Sequence, residues 1–285
     1  MPELPEVQTV VTTLRPLIVG RVIAGVNLLR TDIVRPGGVD LPSRLLGRRI
    51  RAVDRRGKRI LITLDDRGRF YVHLGMTGQL TVESPEAAVR PHTHLVLEFG
   101  ESACLRFRDP RRFGGVFWIG ADSDAATGLG PEPLDLKPSD LATRLAKTRR
   151  AVKNALLDQR VVAGLGNIYV DEALFEARVH PLALACELTP EEVRRLNSAI
   201  KKVLRRAIRH RGSTLRDYMD AEGAAGEAQK LHRVYGSEGK PCRSCGSPVQ
   251  RIVLGGRSTH FCPSCQMRAR VRRAKRRLSG RAPGP

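Results

Sequence analysis

The chain opens with MPELPEVQTVVTTLRPLIVG (residues 1–20), and this stretch predicts a helix around which the rest of the fold is arranged. Apolar residues recur every three to four positions from Pro5 to Ile18, and Gly20 ends the pattern. The residues on this apolar face are Val7, Val10, Val11, Leu14, Leu17 and Ile18. A helix of this kind would hold the residues that precede it rigidly against a core.

The residues in front of the helix have a chemistry of their own. If Met1 is removed, which a proline in second position usually permits, the chain begins with the secondary amine of Pro2 beside the carboxylate of Glu3. An α-amino group has a pKa of about 7.7–8.0, against about 10.4 for lysine, so much of it is neutral at pH 7. A neutral amine can attack a carbonyl-like carbon, and a neighbouring carboxylate can move the proton. The alternative is that Pro and Glu simply suit the first turn of a helix.

Length and composition limit the class of protein. A chain of 285 residues, 41% of them hydrophobic, is long enough for two domains and a small module. The sequence contains no run of about 18 apolar residues, so no membrane span is predicted. Charged residues from Glu3 onward interrupt any signal-peptide core. We therefore expect a cytoplasmic protein, or a nuclear one if the source has a nucleus.

The charge balance indicates the partner. The net charge is +21, from 50 Lys and Arg against 29 Asp and Glu. Such a basic surface favours nucleic acid, because neutralising phosphates releases counterions. An anionic membrane is the competing partner, but no basic amphipathic helix with an aromatic face stands out.

Residues 21–119 have the pattern of short strands separated by Gly, Pro and Asp. The predicted strands are Val22–Leu29, Ile50–Arg55, Arg59–Leu64, Arg69–Leu74, Gln79–Val82, His94–Phe99, Ala103–Arg108 and Gly115–Ile119. The fold class is therefore α+β, with an N-terminal β-sandwich or flattened barrel to which a helix is attached. Residues 121–138, rich in Asp, Gly and Pro, predict the linker to the next domain.

The second half is predicted to be helical. The expected helices are Ser139–Lys147 with Ser139 as its cap, Ala151–Leu157, Tyr169–Ala177, Pro190–Arg209 and Thr214–Met219. Residues 163–169 (AGLGNIY) form a glycine turn at a helix N-terminus, which is a natural phosphate site. A helix–turn–helix-like grip on DNA would have Lys153 and Asn167 facing phosphate, whereas the plainer alternative is an ordinary helical hairpin. Residues 212–240 predict a flexible loop of the kind used as a lid.

Two turns of the β region carry residues that could enter DNA. Met76 lies in a glycine-bracketed turn, where it could act as a wedge between bases or fill a gap in the core. Arg111 and Phe113 share a second loop, where groove insertion with stacking competes with ordinary cation–π packing on a surface.

The cysteines give the most specific local pattern. Cys-x-x-Cys at 242–245 is followed by Cys-x-x-Cys at 262–265, with a predicted hairpin of strands Val249–Leu254 and Arg257–Phe261 between them. This spacing predicts one structural Zn²⁺ held by four thiolates, with no open coordination position for catalysis. The ligands are Cys242, Cys245, Cys262 and Cys265, whereas Cys104 and Cys186 are expected to be buried and inert.

Taken together, these motifs resemble the bacterial formamidopyrimidine-DNA glycosylase family of base-excision repair enzymes. The resemblance extends from residue 2 to about residue 266. The motifs that carry it are PELPEV (2–7), RGK (56–58), HLGM (73–76), DPRRFG (109–114), GLGNIY (164–169) and the four cysteines.

The resemblance implies catalytic roles for four residues. Pro2 would attack C1′ of the damaged nucleotide and form an imine, and Glu3 would donate and shuttle the proton. Lys58 would assist β-elimination. Arg257, at the tip of the finger, would assist δ-elimination and hold phosphate. The implied enzyme is a bifunctional DNA glycosylase and abasic-site lyase.

The resemblance also implies a DNA-binding mode. An enzyme that reaches C1′ must extrude the base, so other residues must fill the gap. Met76, Arg111 and Phe113 would fill it, with Arg111 facing the orphaned cytosine. Phosphate contacts are expected from His92, Lys153 and Asn167.

Lesion preference follows from the resemblance at two positions. Glu6 would lie at the lesion pocket. Leu4 stands where the endonuclease VIII branch usually has glycine, which favours oxidised purines (8-oxoguanine and formamidopyrimidines) over oxidised pyrimidines. The Ala- and Gly-rich lid lacks the aromatic residue that some family members place over the base.

The implied organisation has four parts. They are an N-terminal catalytic β-sandwich domain (1–130), a helix–two-turn–helix DNA-binding domain (131–225), a lid with a zinc finger (226–266) and a basic tail (267–285). The expected partner is double-stranded DNA that contains oxidised bases or abasic sites. No membrane is expected, and the protein is predicted to be a monomer in the bacterial cytoplasm, associated with the nucleoid.

Two other classes of function compete with this one. A non-catalytic DNA-binding protein would share the charge and the finger, but it has no need for proline beside glutamate at the start of the chain. An RNA-binding zinc ribbon is disfavoured by an aromatic content of 4%, since single-strand readers need stacking platforms.

Overall fold

The computed structural model describes residues 2–121 and 124–267, and the predicted basic tail beyond Met267 lies outside that range. Three short 3₁₀ turns, at Thr31–Ile33, Ala185–Glu187 and Ala228–Leu231, accompany the helices and strands. In chain order the helices and strands are α1 (Leu4–Ile18), β1 (Gly25–Leu28), β2 (Val34–Arg35), α2 (Leu41–Leu45), β3 (Ile50–Arg56), β4 (Arg59–Leu64), β5 (Arg69–His73), β6 (Gln79–Glu83), β7 (Thr93–Glu98), β8 (Cys104–Arg108), β9 (Gly115–Trp118), α3 (Pro138–Ala146), α4 (Val152–Leu157), α5 (Asn167–Ala177), α6 (Pro190–Arg209), β10 (Gln250–Leu254) and β11 (Arg257–Phe261).

The predicted β-sandwich is confirmed. One sheet has the order β1-β7-β8-β6 and the other the order β2-β9-β5-β4-β3, and every pairing is antiparallel except β2 with β9. Side chains alternate along β4, where Ile60, Ile62 and Leu64 are buried and the residues between them are half-exposed. Buried residues of both sheets form one core together with the apolar face of α1.

Helix α1 joins this core to the second one. Val7, Val10 and Leu14 pack into the sandwich core, whereas Leu4 belongs to the core of helices α3 to α6. The first turn of α1 is therefore held from both sides, and the residues before it lie at the junction of the two domains.

Two predictions about the helical region are wrong. Helix α3 begins at Pro138 with Lys137 as its N-cap, so Ser139 lies inside the helix, because the fixed φ of proline suits the first helical position. Residues 214–219 form no helix. The Thr214 hydroxyl donates to the carbonyl of Tyr218 (3.0 Å), and Gly226 N–H donates to that hydroxyl (2.8 Å). The Thr214 hydroxyl thus bonds within the segment and to the residues that follow it, and these bonds replace the helical pattern.

The two short elements β2 and α2 were not predicted, because two and five residues are too few for a periodic pattern. Cys104 is buried as predicted, but Cys186 is only half-buried. Among the described residues, no helix is both long and apolar enough to cross a membrane.

Candidate active site at the domain junction

Glu3 is the centre of the site. It caps α1 from the N-terminal side, and its own carboxylate accepts hydrogen bonds from the N–H groups of Gly166 (2.7 Å) and Ile168 (2.9 Å) at the start of α5. Glu3 is only 2% exposed, and Pro2 beside it is buried. The N-terminus of α5, which the sequence suggested as a phosphate site, is thus occupied by this carboxylate.

The glycines of the 163–169 turn make room for the start of the chain. A Cβ on Gly166 would lie 2.3 Å from the carboxyl carbon of Glu3, and one on Gly164 would lie 2.7 Å from the Leu4 side chain. Gly164 also has a φ of +85°, which favours glycine. The turn therefore needs both glycines to seat Glu3 and Leu4.

Burial shifts the protonation of the charged groups in the site. Desolvation raises the pKa of Glu3 from 4.5 to about 7, although the positive charge of Lys58 opposes the rise. Lys58 is itself buried, and desolvation lowers its pKa, with the charge of Arg257 acting in the same direction and that of Glu3 against it. An acid and an amine are thus both poised for proton transfer.

Glu6 is also buried, and its carboxylate is fully engaged. It accepts hydrogen bonds from Glu3 N–H (2.8 Å), Ser213 N–H (2.7 Å) and the Tyr169 hydroxyl (2.5 Å). Desolvation raises its pKa as well. Gly212 passes so close that a Cβ there would lie 2.8 Å from the Glu6 carboxylate. The predicted lid therefore begins as a segment bound directly to Glu6.

A cavity of about 370 Å³ opens beside this cluster. Its wall combines the β3–β4 turn, the linker, the α4–α5 turns and the tip of the finger. The lining residues are Lys58, Arg59, His73, Gly128, Leu129, Leu157, Gln159, Leu165, Gly166 and Arg257. Lys58 and Arg257, predicted from separate motifs, therefore meet in one cavity.

Glu132, which the sequence analysis missed, holds the turn that carries Lys58. Its carboxylate accepts from Gly57 N–H (2.7 Å) and from the Arg56 guanidinium (2.8 Å), and it forms an ion pair with Arg55 (2.6 Å). No local pattern in the sequence could identify this residue, because it is a single acid in the linker. The residues it holds, Arg55 to Gly57, lie far from it along the chain.

Lys153, which was predicted to face phosphate, lies at the contact between α4, α5 and the finger. Its side chain is fully buried, where it forms an ion pair with Asp171 (2.6 Å) and donates to the carbonyl of Ser258 (2.8 Å). Asn167 is half-buried and donates to the same carbonyl at 2.9 Å. Both residues therefore fix the strand of the finger that carries Arg257.

Asp171 completes this link to the finger. Its other carboxylate oxygen accepts from the backbone N–H of His260 at 2.9 Å. His260 is thus part of the junction between α5 and β11 and not a metal ligand, in line with the sequence analysis, which found the four-cysteine set complete without it.

The three residues predicted to fill the gap lie on two adjoining loops. Met76 is 40% exposed and Phe113 is 57% exposed, unusual values for large apolar side chains. The Arg111 guanidinium lies over the Phe113 ring, 4.5 Å from its centroid. These side chains are free to contact a partner.

Asp109, also missed by the sequence analysis, ties the two loops together. It is fully buried and accepts from the Thr77 hydroxyl (2.5 Å) and from Gly114 N–H (2.7 Å). His92 is exposed nearby, with a φ of +67°, and its carbonyl accepts from Asp109 N–H (3.0 Å).

The four predicted cysteine ligands converge. Their Sγ atoms all lie within 4.8 Å of one another, with Cys245 and Cys262 at 3.4 Å and Cys242 and Cys265 at 4.0 Å. Tetrahedral Zn²⁺ with bonds of about 2.3 Å would separate its sulfur ligands by about 3.8 Å. Backbone N–H groups of Ser244 and Cys265 point at two of the sulfurs, as thiolates require. The donor set fits a structural zinc ion, which supports the predicted cofactor.

Comparison with known proteins gives consistent matches along the chain. Residues 1–116 match the formamidopyrimidine-DNA glycosylase N-terminal domain, residues 129–219 its H2TH domain, and residues 239–268 the zinc finger found in FPG and IleRS. A formamidopyrimidine-DNA glycosylase of Herpetosiphon aurantiacus is 46% identical over 272 residues, which cover 93% of this chain and 100% of that protein.

Solved structures give the same result. A variant of Lactococcus lactis FPG in complex with Fapy-dG-containing DNA has a TM-score of 0.88 and 36% identity, covering 94% of this chain and 100% of that one. The complex of L. lactis Fpg with DNA containing an abasic site also has a TM-score of 0.88 and 36% identity, covering 93% and 100%.

Proposed function

This chain belongs to the formamidopyrimidine-DNA glycosylase family, and from that membership we propose how its residues carry out the reaction. The protein is a DNA glycosylase that removes oxidised purines in base excision repair, and lyase activity is characteristic of its family. The observation that carries the assignment of residues is the buried carboxyl of Glu3, next to Pro2, with a pKa of about 7.

The first step forms a covalent bond to the sugar. With Met1 removed, the Pro2 nitrogen attacks C1′ as the bond from C1′ to the base breaks, the departing base takes up a proton, and loss of the amine proton leaves a neutral aminal. Cleavage of the C1′–O4′ bond then opens the sugar and gives the iminium. Glu3 donates a proton to the opening sugar and can take one back, because a carboxyl with a pKa near 7 is populated in both forms at neutral pH.

The second step uses the iminium as an electron sink. The iminium acidifies C2′, so that loss of a proton there expels the 3′ phosphate by β-elimination, and a further elimination expels the 5′ phosphate. Lys58, whose pKa is lowered by burial, assists the proton transfers. Arg257 is exposed at the tip of the finger and holds the phosphate.

The damaged nucleotide leaves the helix to reach this cluster. Met76, Arg111 and Phe113 are proposed to fill the gap, in support of which all three are exposed on the paired loops that Asp109 holds. His92 and Asn167 contact phosphate. Lys153 acts indirectly, by holding the Ser258 carbonyl one residue from Arg257.

Lesion choice depends on Glu6 and Leu4 in different ways. Glu6 is proposed to lie at the lesion pocket through the segment it binds, from Ser213 onward. Leu4 is fully buried against Gly164, so its effect on lesion choice comes from how it seats the first turn of α1 and not from contact with the base.

The remaining proposals concern assembly and place. We propose one Zn²⁺ per chain, bound by the four-cysteine cluster, which is the one group of its kind in residues 2–121 and 124–267. Lesion-containing duplex DNA is the partner of the solved relatives and, we propose, of this protein, which acts as a monomer in the cytoplasm at the nucleoid. The four domain limits given above stay predictions.

The decisive experiment is borohydride trapping on a duplex with one 8-oxoguanine opposite cytosine, with mass mapping of the cross-link. We expect an adduct on Pro2, because borohydride reduces the iminium between the Pro2 nitrogen and C1′ to a stable amine, which the mass mapping then locates. Pro2→Gly is expected to lose base release and to keep DNA binding, whereas Pro85→Gly, on an exposed turn, is the matched control and keeps both.

Other results would revise the proposal. Near-normal activity of Pro2→Gly would remove Pro2 as the nucleophile. An adduct only with an oxidised pyrimidine would keep the mechanism and move the lesion class to that of endonuclease VIII. Tight binding without any adduct would favour the non-catalytic alternative.

A further inference from the structure

The hydrogen bonds around Glu6 continue away from the cavity. The Tyr169 hydroxyl, which donates to Glu6, lies 3.0 Å from Ser213 Oγ, and Ser213 Oγ lies 3.0 Å from His232 Nε2. We propose that Tyr169, Ser213 and His232 are positioning residues whose hydrogen-bonded chain keeps Glu6 ionised, so that the proton of the Glu3–Glu6 pair resides on Glu3. This inference rests on the proposed role of Glu3 as the proton donor.

The pair of carboxyl groups needs such a device. Glu3 and Glu6 are each 2% exposed, and the N–H of Glu3 donates to the carboxylate of Glu6. Two buried carboxyl groups whose charges act on each other do not both ionise easily, so we infer that the pair holds one proton near neutral pH. A proton on Glu6 would leave Glu3 as an anion, which cannot protonate a sugar.

The donors around Glu6 favour its charged form. The N–H groups of Glu3 and Ser213 can only donate, and the Tyr169 hydroxyl faces the carboxylate oxygen at 2.5 Å. The Glu3 carboxylate also accepts hydrogen bonds from backbone N–H groups, but of the two only Glu6 accepts one from a hydroxyl. The hydrogen bonds that continue from this hydroxyl to Ser213 and His232 strengthen its bond to Glu6. The negative charge of Glu6 in turn raises the pKa of Glu3.

His232 is suited to end the chain as a neutral donor. Desolvation and the positive charges of Arg206 on α6 and Arg243 in the finger lower its pKa to about 4. The Tyr235 ring packs edge-to-face against His232 with the two ring centroids 5.8 Å apart, and Glu172 lines the same small cavity. A neutral imidazole has one N–H, and its Nε2–H donating to Ser213 Oγ directs each following hydroxyl toward Glu6.

Two further groups face the carboxyl pair. The positive charge of Lys58 lowers the pKa of Glu3, and the Tyr218 hydroxyl donates to the backbone carbonyl of Glu6 (3.2 Å). Substitutions at Tyr169 and His232 change neither group, so a shift in the titration of Glu3 or Glu6 would report on the hydrogen-bonded chain itself.

The test compares the pH dependence of single-turnover base release in three variants. Tyr169→Phe removes the hydroxyl, so Glu6 takes up the proton and Glu3 then titrates at lower pH. The alkaline limb of the rate profile, where Glu3 loses its proton, should move to lower pH by about 1–2 units. His232→Leu should move it the same way by about half a unit. His232→Gln, which keeps an N–H donor, should restore the profile.

The inference is overturned if the alkaline limb of Tyr169→Phe lies at the same pH as that of the wild type. If that variant does not fold, the inference is overturned when the alkaline limbs of His232→Leu and His232→Gln lie at the same pH. Zinc content and melting temperature show whether each variant is folded. Carboxyl ¹³C titration of Glu3 and Glu6 gives a readout that does not need activity. A wild-type protein that forms no imine would contradict the proposed function. An active wild type with unshifted carboxyl titrations in the variants would contradict only the role of the hydrogen-bonded chain from His232 to Glu6.

Discussion

At the scale of the residue, Glu3 shows a conflict between stability and chemistry. In the folded protein its carboxyl is buried and has a pKa of about 7, against an ordinary value of 4.5. The folded state thus binds this proton more tightly than the unfolded state does. The contribution of Glu3 to stability is fully present below pH 4.5 and is lost as pH rises through 7. An active enzyme at neutral pH tolerates that loss.

Replacing Glu3 by Gln should therefore stabilise the protein while removing its activity. A neutral amide keeps the carbonyl acceptor and has no proton to lose. We expect Glu3→Gln to be more stable than the wild type above pH 7, by up to about 3 kcal/mol, and equal to it near pH 4.5. Urea unfolding across this range is the measurement, with exposed Glu101→Gln as the control. Parallel stability curves for Glu3→Gln and wild type would contradict the raised pKa.

At the scale of the element, the β10–β11 hairpin positions Arg257 from both of its ends. At its base the four cysteines converge, and along β11 the Ser258 carbonyl and the His260 N–H are held by Lys153 and Asp171. The hairpin has only two strands, so the metal and these contacts supply the stability that a small core does not.

Loss of the metal should therefore release the finger and weaken DNA binding. Cys242→Ser is expected to lose zinc and to reduce affinity for an abasic-site duplex by about 10-fold or more, since one charge-assisted phosphate contact contributes roughly that much. Metal analysis and fluorescence anisotropy measure the two effects. Cys186→Ser, half-buried and outside the cluster, should change neither. A zinc-free Cys242→Ser protein with wild-type affinity would show that the metal does not support DNA binding.

At the scale of the whole molecule, the net charge and the cavity between the domains act together. The charge of +21 attracts the DNA backbone at long range, while the cavity gathers Lys58 and Arg257 from distant parts of the chain. We propose that the specific chemistry occurs where the first turn of α1, the α4–α5 turns and the finger meet.

DNA affinity should consequently fall steeply with salt. A footprint of about six phosphate contacts would lose about 10³-fold in affinity between 50 and 200 mM salt. Arg257→Ala should reduce the logarithmic slope by about one, and Arg51→Ala, at the far end of β3 from the Lys58 turn, should leave it unchanged. The measurement is a salt titration of binding to undamaged duplex. A flat response would exclude electrostatic attraction as the main source of affinity.

The sequence by itself determined whatever depends on local spacing. Periodicity predicted α1 within one residue and α6 at its observed bounds, and the two Cys-x-x-Cys pairs predicted the metal cluster. Motif resemblance predicted catalytic roles for Glu3, Lys58 and Arg257, which stay predictions. These features can be read from short stretches because helix pitch, strand alternation and chelation each involve neighbouring residues.

Only the tertiary structure decided which groups meet and which are removed from water. Glu3 accepts from Gly166 across 163 positions of the chain, and Glu132 holds the turn beside Lys58 from the linker. Lys153, a surface cation by sequence, is fully buried against Asp171. The physical reason is that burial and electrostatic coupling depend on distance in space, so pKa shifts such as that of Glu3 exist only once the two domains pack around α1.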